Sequence, residues 1–254
     1  MKYDLTCVIP LYGDNCENVS LKMVSSLATQ ETKYKIRYLF FSDKTVSDKA
    51  IEQIHYLLSG RKTEYCVIHC PDTSSGSKRN LGIQLSLDVS QYIWFIDQDD
   101  YLVKPNTFDI ILDALAKYPF LNLVKIKFLA PDNITDYNQK SIYDTPTMPF
   151  LWIIKTEKLR DLRFRTDMEY GSDVPITIEL LAEEGYIKFN DDETATFKYT
   201  KTIPHFEVLL YYYNYLNDHS YIRKHCLMEK DKKEKEIKAA IDVIKGIREK
   251  YEKE

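Results

Sequence analysis

The chain has 254 residues, enough to bury a substantial core without disulfide staples, and 44% hydrophobic with 29% charged residues is the composition of an ordered globular protein. A formal charge of -4 with acids and bases interspersed excludes the basic stripe that neutralises phosphate backbones, so no nucleic-acid partner is expected. The opening "MKYDLTCVIPLYG" has too short an apolar stretch for a secretory leader, and no apolar run reaches the length of a membrane span, which points to a cytoplasmic chain.

Along the first hundred residues two kinds of segment alternate. "LTCVIP" (5–10), "YKIRYLFFSD" (34–43), "EYCVIHC" (64–70) and "YIWFID" (92–97) are short and rich in β-branched and aromatic residues, and each reads as a buried strand. Between them, "ENVSLKMVSSLATQ", "VSDKAIEQIHYLLSG" and "SGSKRNLGIQLSLDV" repeat apolar residues every three or four positions, as helices with one buried face do. Cys66 and Cys70 share one face of an extended segment, as small buried thiols in a reducing compartment would; His69 would face the other way, against a metal site.

Strand–helix–strand alternation of this length requires parallel pairing with right-handed crossovers, hence an α/β fold with a mostly parallel open sheet and helices on both faces. Residues 1–105 form the first half. From 106 to 225 the pattern becomes α+β: a helix from Asn106, a strand at 123–130, a long polar loop at 131–149, a strand at "FLWIIK", and a helix from about Asp173 to Glu184 ended by Gly185. "PHFEVLLYYYNYLN" (204–217) is apolar nearly all round and is predicted to be a buried helix. Residues 226–254 read as an amphipathic C-terminal helix with Ile237, Ala240, Ile241, Ile244, Ile247 and Tyr251 on one face, docked on the body or in peripheral contact with a partner or membrane surface.

In such sheets ligands bind beyond the carboxyl ends of the strands. That rule selects Pro10 to Asp14, Ser42-Asp43, "PDTSSGSKRN" and Asp97 to Asp100. Two carboxylates about 5 Å apart repel by roughly 3 kcal/mol at an effective dielectric near 20, and Asp97, Asp99 and Asp100 crowd three into one turn. A hard divalent cation such as Mn2+ or Mg2+ would relieve that repulsion and complete its shell with phosphate oxygens; capping of the next turn in water is the plainer alternative. Lys78 and Arg79, at the start of a helix, favour an anion together with the free backbone N–H groups there.

"VIPLYGDN", Asp43, "GSKRNLGIQLSL" and "YIWFIDQDD", in that order and spacing, resemble the successive motifs of family 2 glycosyltransferases with the GT-A fold, over about the first 105 residues. The resemblance implies that Pro10 and Tyr12 line a nucleoside site and that Asp43 accepts a hydrogen bond from the base, most often uracil. It places Arg79, with Asn80 behind it, near the donor, Asp97 by the donor ribose or sugar, and Asp99 on the divalent ion with Asp100 assisting. It also implies an acidic base at the start of a second-half helix, a slot that Asp173 fits and for which Glu169 is the fallback; an N-cap is the rival role for Asp173. Gly13 and Ser172 depart from the family pattern, and Ser172 stands where a second acid is common. His205 is a candidate further ligand, and Tyr211 to Tyr215 offer either core packing or a stacking surface for an acceptor sugar.

The expectation is therefore a metal-dependent, inverting transferase moving a sugar from a nucleotide donor, a UDP-sugar in the first instance, to a hydroxyl of a glycan or glycolipid. It would work in polysaccharide biosynthesis in the cytoplasm, with contact at the inner face of the membrane left open. A nucleotidyltransferase also gathers acids at strand ends, but "PLYGDN" lacks its Gly-rich, basic loop. A catalytically silent nucleotide-sugar-binding module is opposed by the intact Asp97, Asp99 and Asp173.

Overall fold

A computed structural model describes residues 1–13, 16–71, 74–129, 152–167, 173–189, 197–212 and 230–252. In chain order the first half runs β1 (Tyr3–Pro10), α1 (Cys16–Ala28), β2 (Ile36–Ser42), α2 (Asp48–Leu58), β3 (Glu64–His69), α3 (Ser75–Ser86) and β4 (Ser90–Phe95). There follow β5 (Tyr101–Leu102), α4 (Thr107–Lys117), β6 (Leu123–Leu129), β7 (Trp152–Lys155) and a 3-10 turn (Thr156–Leu159). The remainder is α5 (Val174–Glu183), β8 (Ile187–Phe189), β9 (Phe197–Tyr199), β10 (His205–Tyr212) and α6 (Lys230–Glu252).

One sheet of eight strands, ordered β3-β2-β1-β4-β7-β6-β10-β5, carries both halves, and β8 pairs with β9 in a separate ribbon. β3, β2, β1 and β4 are mutually parallel; β7 is antiparallel to both β4 and β6, and β6 is parallel to β10. Six strands therefore point the same way, and their carboxyl ends open on one edge. Only β7 and β5 oppose them.

Side chains on both faces of the sheet are buried, as the near-continuous apolar runs require. On one face the rings of Tyr38, Trp94, Phe108 and Tyr211 meet at centroid distances of 5.7–6.3 Å. On the other, α3 lies so close to β1 that a Cβ on Gly82 would stand 2.4 Å from Val8 Cγ1. Phe95 meets Phe164 edge to face at 5.0 Å, and Phe164 shares a small cavity with Ile176, Thr177 and Leu180 of α5. α6 packs on α5, with Ile247 buried and Lys250 paired to Glu179.

Two expectations are corrected. "HFEVLLYY" is the strand β10, not a buried helix: a run apolar on all sides suits a strand covered on both faces equally well, and the aromatic and β-branched content tips it that way. Cys66 is exposed while Cys70 is buried, because β3 is an edge strand with an open outer face. The loop 131–149, Glu169 and Tyr213 to Tyr215 lie outside the described residues.

Candidate active site

β4 delivers the acidic turn to the carboxyl edge. Ile93 to Phe95 of the strand and Ile96 just beyond it are buried, so the turn after them is anchored, and the Asp100 N–H closes it by donating to the Asp97 carbonyl at 3.2 Å. Tyr211, at the carboxyl end of β10, stabilises the same turn. Its phenol donates to Asp100 Oδ2 at 2.6 Å and accepts the Asp97 N–H at 3.3 Å. Asp100 is thus buried and engaged with the fold. Asp99 is different: burial first, and the Asp97 charge second, push its carboxyl up to about 7.

The residues expected at a nucleoside cluster at the exits of β1 and β2. Pro10 closes β1 and is buried, and Tyr12 is half-buried in the loop beyond it, which turns at Gly13 with φ +92°. Gln98 holds that loop by its backbone: Oε1 accepts the Tyr12 N–H at 3.0 Å and Nε2 donates to the Tyr12 carbonyl at 2.9 Å. Lys78 points inward, fully buried, with its ammonium donating to Asp43 Oδ2 and the Leu11 carbonyl. Its charge is therefore committed inside the fold rather than offered to an anion at the start of α3. Asp43 also accepts from Thr45 N and Oγ1, and Thr45 Oγ1 accepts the Gly13 N–H at 2.9 Å. Burial pushes the Asp43 carboxyl up, but the bonds from Lys78 and Thr45 outweigh it and hold it below its ordinary value.

Arg79, on the next position of α3, links the two halves of the site. Nη2 donates to Asp97 Oδ1 at 2.5 Å, and its buried Nε has no hydrogen-bond partner among the described residues. The charges of Asp97 and Asp173 both act on this guanidinium, against the lowering effect of its burial. Asp173 stands immediately before α5, whose first turn carries Pro175, and its side chain makes no capping hydrogen bond among the described residues. Burial pushes its carboxyl up and Arg79 pulls it part of the way back, to about 6. Behind Arg79, Asn80 grips the segment before α5: Nδ2 donates to the Phe164 carbonyl at 2.9 Å and Oδ1 accepts the Phe164 N–H at 2.8 Å.

The carboxyl edge thus gathers Pro10, Tyr12, Asp43, Lys78, Arg79, Asp97, Asp99, Asp100 and Asp173. It does not gather His205. That residue begins β10, six positions before Tyr211 on a strand running toward the site, on the order of 20 Å away along the chain. Thr45 was missed as a site residue, Gln98 was selected only as part of the Asp97–Asp100 strand exit with no role of its own, and Tyr211, read as core packing or an acceptor-stacking surface, instead bonds to the acidic turn. Their only signal in the sequence is adjacency to a strand exit, and for Tyr211 not even that, since its strand reads as a helix.

Among the described residues no group of three or more His, Cys, Asp or Glu side chains converges as a complete metal cage. The donor set nonetheless suits a hard divalent ion that takes few protein ligands. Asp99 is a half-buried carboxyl facing the Asp97 carboxylate, whereas the buried Asp100 already accepts from Tyr211.

A family model described as "Glycosyl transferase family 2" matches residues 6–178, more than half of the chain. Structures of S. aureus TarS 1-349 in complex with UDP and with UDP-GlcNAc align with a TM-score of 0.61 at 15% and 16% identity, over 83% of this chain and 60% and 58% of theirs. The mannosyltransferase PcManGT from Pyrobaculum calidifontis, in complex with GDP-Man and Mn2+, aligns with a TM-score of 0.59 at 13% identity, over 89% of this chain and 61% of its own. The chain spans about three fifths of the length of these solved structures. No curated protein matches significantly. At these identities the likeness establishes the fold, which is the GT-A type expected from the motifs.

Proposed function

The chain belongs to glycosyl transferase family 2, and on that premise we propose that it transfers a sugar from a nucleotide donor to a hydroxyl of a glycan or glycolipid acceptor, with inversion at the sugar carbon. The observation that carries this reading is Arg79 joined to Asp97 and electrostatically coupled to Asp173, which brings a donor-side carboxylate and a tunable base to one edge of the sheet. A UDP-sugar is the donor we favour and a GDP-sugar the second, because the structural neighbours are complexes with UDP, UDP-GlcNAc and GDP-Man.

Tyr12 and the loop from Pro10 line the nucleoside end, with Asp43 beneath it. Asp43 is already occupied by Lys78 and Thr45, so in this arrangement its part is to shape that floor. Asp97 faces the ribose or sugar and is oriented by Arg79. A divalent ion, Mn2+ or Mg2+, would be held by Asp99, with Asp100 bracing the turn, and would neutralise the diphosphate as it leaves.

Asp173 acts as the base. With its carboxyl at about 6 it is largely ionised at neutral pH yet basic enough to take a proton. As the acceptor oxygen attacks the anomeric carbon, its hydroxyl proton passes to Asp173. The bond from that carbon to the diphosphate oxygen breaks with its electron pair on the leaving group. Among the described residues no helix is long and apolar enough to cross a membrane; we assign the chain to the cytoplasm, and to peripheral membrane contact where the acceptor is a lipid.

The test is a screen of UDP- and GDP-sugars that follows release of the nucleoside diphosphate with and without Mn2+ or Mg2+. Metal-stimulated release that is lost in Asp99→Ala supports the reading. Turnover of a nucleoside triphosphate with release of pyrophosphate would replace it with a nucleotidyltransferase.

A further inference from the structure

From the contacts around the β1 exit we infer that Gln98 is a positioning residue for the nucleoside end of the donor, joining the Tyr12 loop to the turn that bears Asp97 and Asp99. The inference rests on the proposed nucleotide-sugar reading and adds a residue that the motifs leave unassigned.

β1 ends at Pro10, and beyond it the loop receives one ladder bond, from the Leu11 N–H to the Phe41 carbonyl at 2.9 Å. The Tyr12 N–H and C=O have lost their strand neighbours at this point, and a half-buried loop cannot leave both unmet without cost. A single carboxamide meets both. Gln98 is 2% exposed and presents its acceptor to the Tyr12 N–H and its donor to the Tyr12 carbonyl, as the backbone of a further strand would. A carboxamide combines both functions on one terminal group at this reach without needing a change of protonation state.

The neighbouring supports act on other atoms of the loop, Lys78 on the Leu11 carbonyl and Thr45 on the Gly13 N–H. Gln98 alone among these three lies in the acidic turn. Its neighbours on either side are Asp97 and Asp99, so the loop that lines the nucleoside and the turn that faces the diphosphate are held as one body. A donor whose base and diphosphate must be gripped at a fixed separation gains affinity from that rigidity, because the loop need not be ordered on binding.

Gln98→Met tests this, since methionine keeps the unbranched shape and volume while deleting both bonds to Tyr12, along with the weaker thiol contact from Cys16 Sγ to Oε1 at 3.5 Å. Binding would be measured by calorimetry with UDP, with GDP and with inorganic pyrophosphate, each in the presence of Mn2+. The expected result is UDP affinity reduced about tenfold, the scale of two lost hydrogen bonds. The preference between UDP and GDP should shrink toward one while pyrophosphate affinity stays unchanged. Equal loss for UDP and pyrophosphate would overturn the inference, because it would indicate collapse of the whole edge. Unchanged UDP affinity and base preference would overturn it as well. If the wild type binds neither nucleotide, the functional reading falls and this inference with it, an outcome distinct from the other two. Should the Met variant not fold, amide hydrogen exchange on the wild type decides: protection of the Tyr12 N–H supports the clamp, and exchange at the rate of an open loop refutes it.

Discussion

The buried Asp43–Lys78 pair and the half-buried Asp173 differ in how their charges are compensated at the edge, and the difference is measurable. Asp43 and Lys78 form a pair with side chains 1% and 0% exposed. Removing one partner leaves an uncompensated buried charge, so Lys78→Met should destabilise the fold by about 3–5 kcal/mol, and adding Asp43→Asn should recover a large part of that loss in denaturant melts. Among the described residues Asp173 has no such ion pair. Its carboxyl is raised from 3.8 to about 6, so the folded chain binds more protons than the unfolded one between those values, and its contribution to stability is lost as pH rises through that window. Asp173→Asn should therefore melt a few degrees higher than wild type at pH 8, with the gap closing near pH 4. The same substitution should lower turnover by roughly 10²–10⁴-fold with nucleotide affinity kept, the scale of a lost general base. In the wild type, kcat/KM should climb through about pH 6 to a plateau. Full turnover in the Asn variant would remove Asp173 from the mechanism. Asp97, Asp99 and Asp173 were legible because carboxylates at strand exits and helix starts announce themselves. Gln98 was not, since an amide that serves a backbone 86 positions away leaves no trace in its own neighbourhood.

Among the elements, α3 does most to bring the site together, and its approach to β1 depends on an absent side chain. A Cβ at Gly82 would meet Val8 Cγ1 at 2.4 Å and Cγ2 at 2.7 Å, inside a packed core where neither atom can swing away. Gly82→Ala should cost about 1–3 kcal/mol as overpacking, and thermal melts of Gly82→Ala with Val8→Ala should show less loss than the sum of the two single changes. Additive losses would mean that α3 shifts freely off the sheet. The four strands and three helices up to β4 were readable because each repeats its period over enough residues and each crossover has the standard length. β10 was misread because an unbroken apolar run carries no period. What decides its conformation is pairing with β6 and β5, which lie about 80 and 110 positions earlier in the chain.

At the scale of the whole molecule, the two halves of the chain share one sheet, and under the proposed mechanism Asp173 reaches a donor on the first half only if the two are held in register. The sheet provides part of that hold through β7 against β4. The rest is the grip of Asn80 on both polar groups of the Phe164 backbone, a contact between residues 84 positions apart. Phe164 carries the restraint outward, since its ring lies against Phe95 at 5.0 Å and beneath the Arg79 guanidinium at 5.4 Å, and it borders α5. Gly76 lets the segments meet this closely, for a Cβ there would stand 2.3 Å from the Arg165 carbonyl oxygen. Asn80→Ala deletes the grip but leaves Tyr12, Gln98 and the acidic turn untouched, so nucleotide affinity should stay within about twofold of wild type. The transfer step should not be spared. A base displaced by about an ångström loses on the order of a hundredfold in rate, and kcat with the donor identified by the screen should fall by that order. Should nucleotide affinity fall as steeply as kcat, Asn80 would belong to the donor pocket alone, and the register between the halves would rest on the sheet.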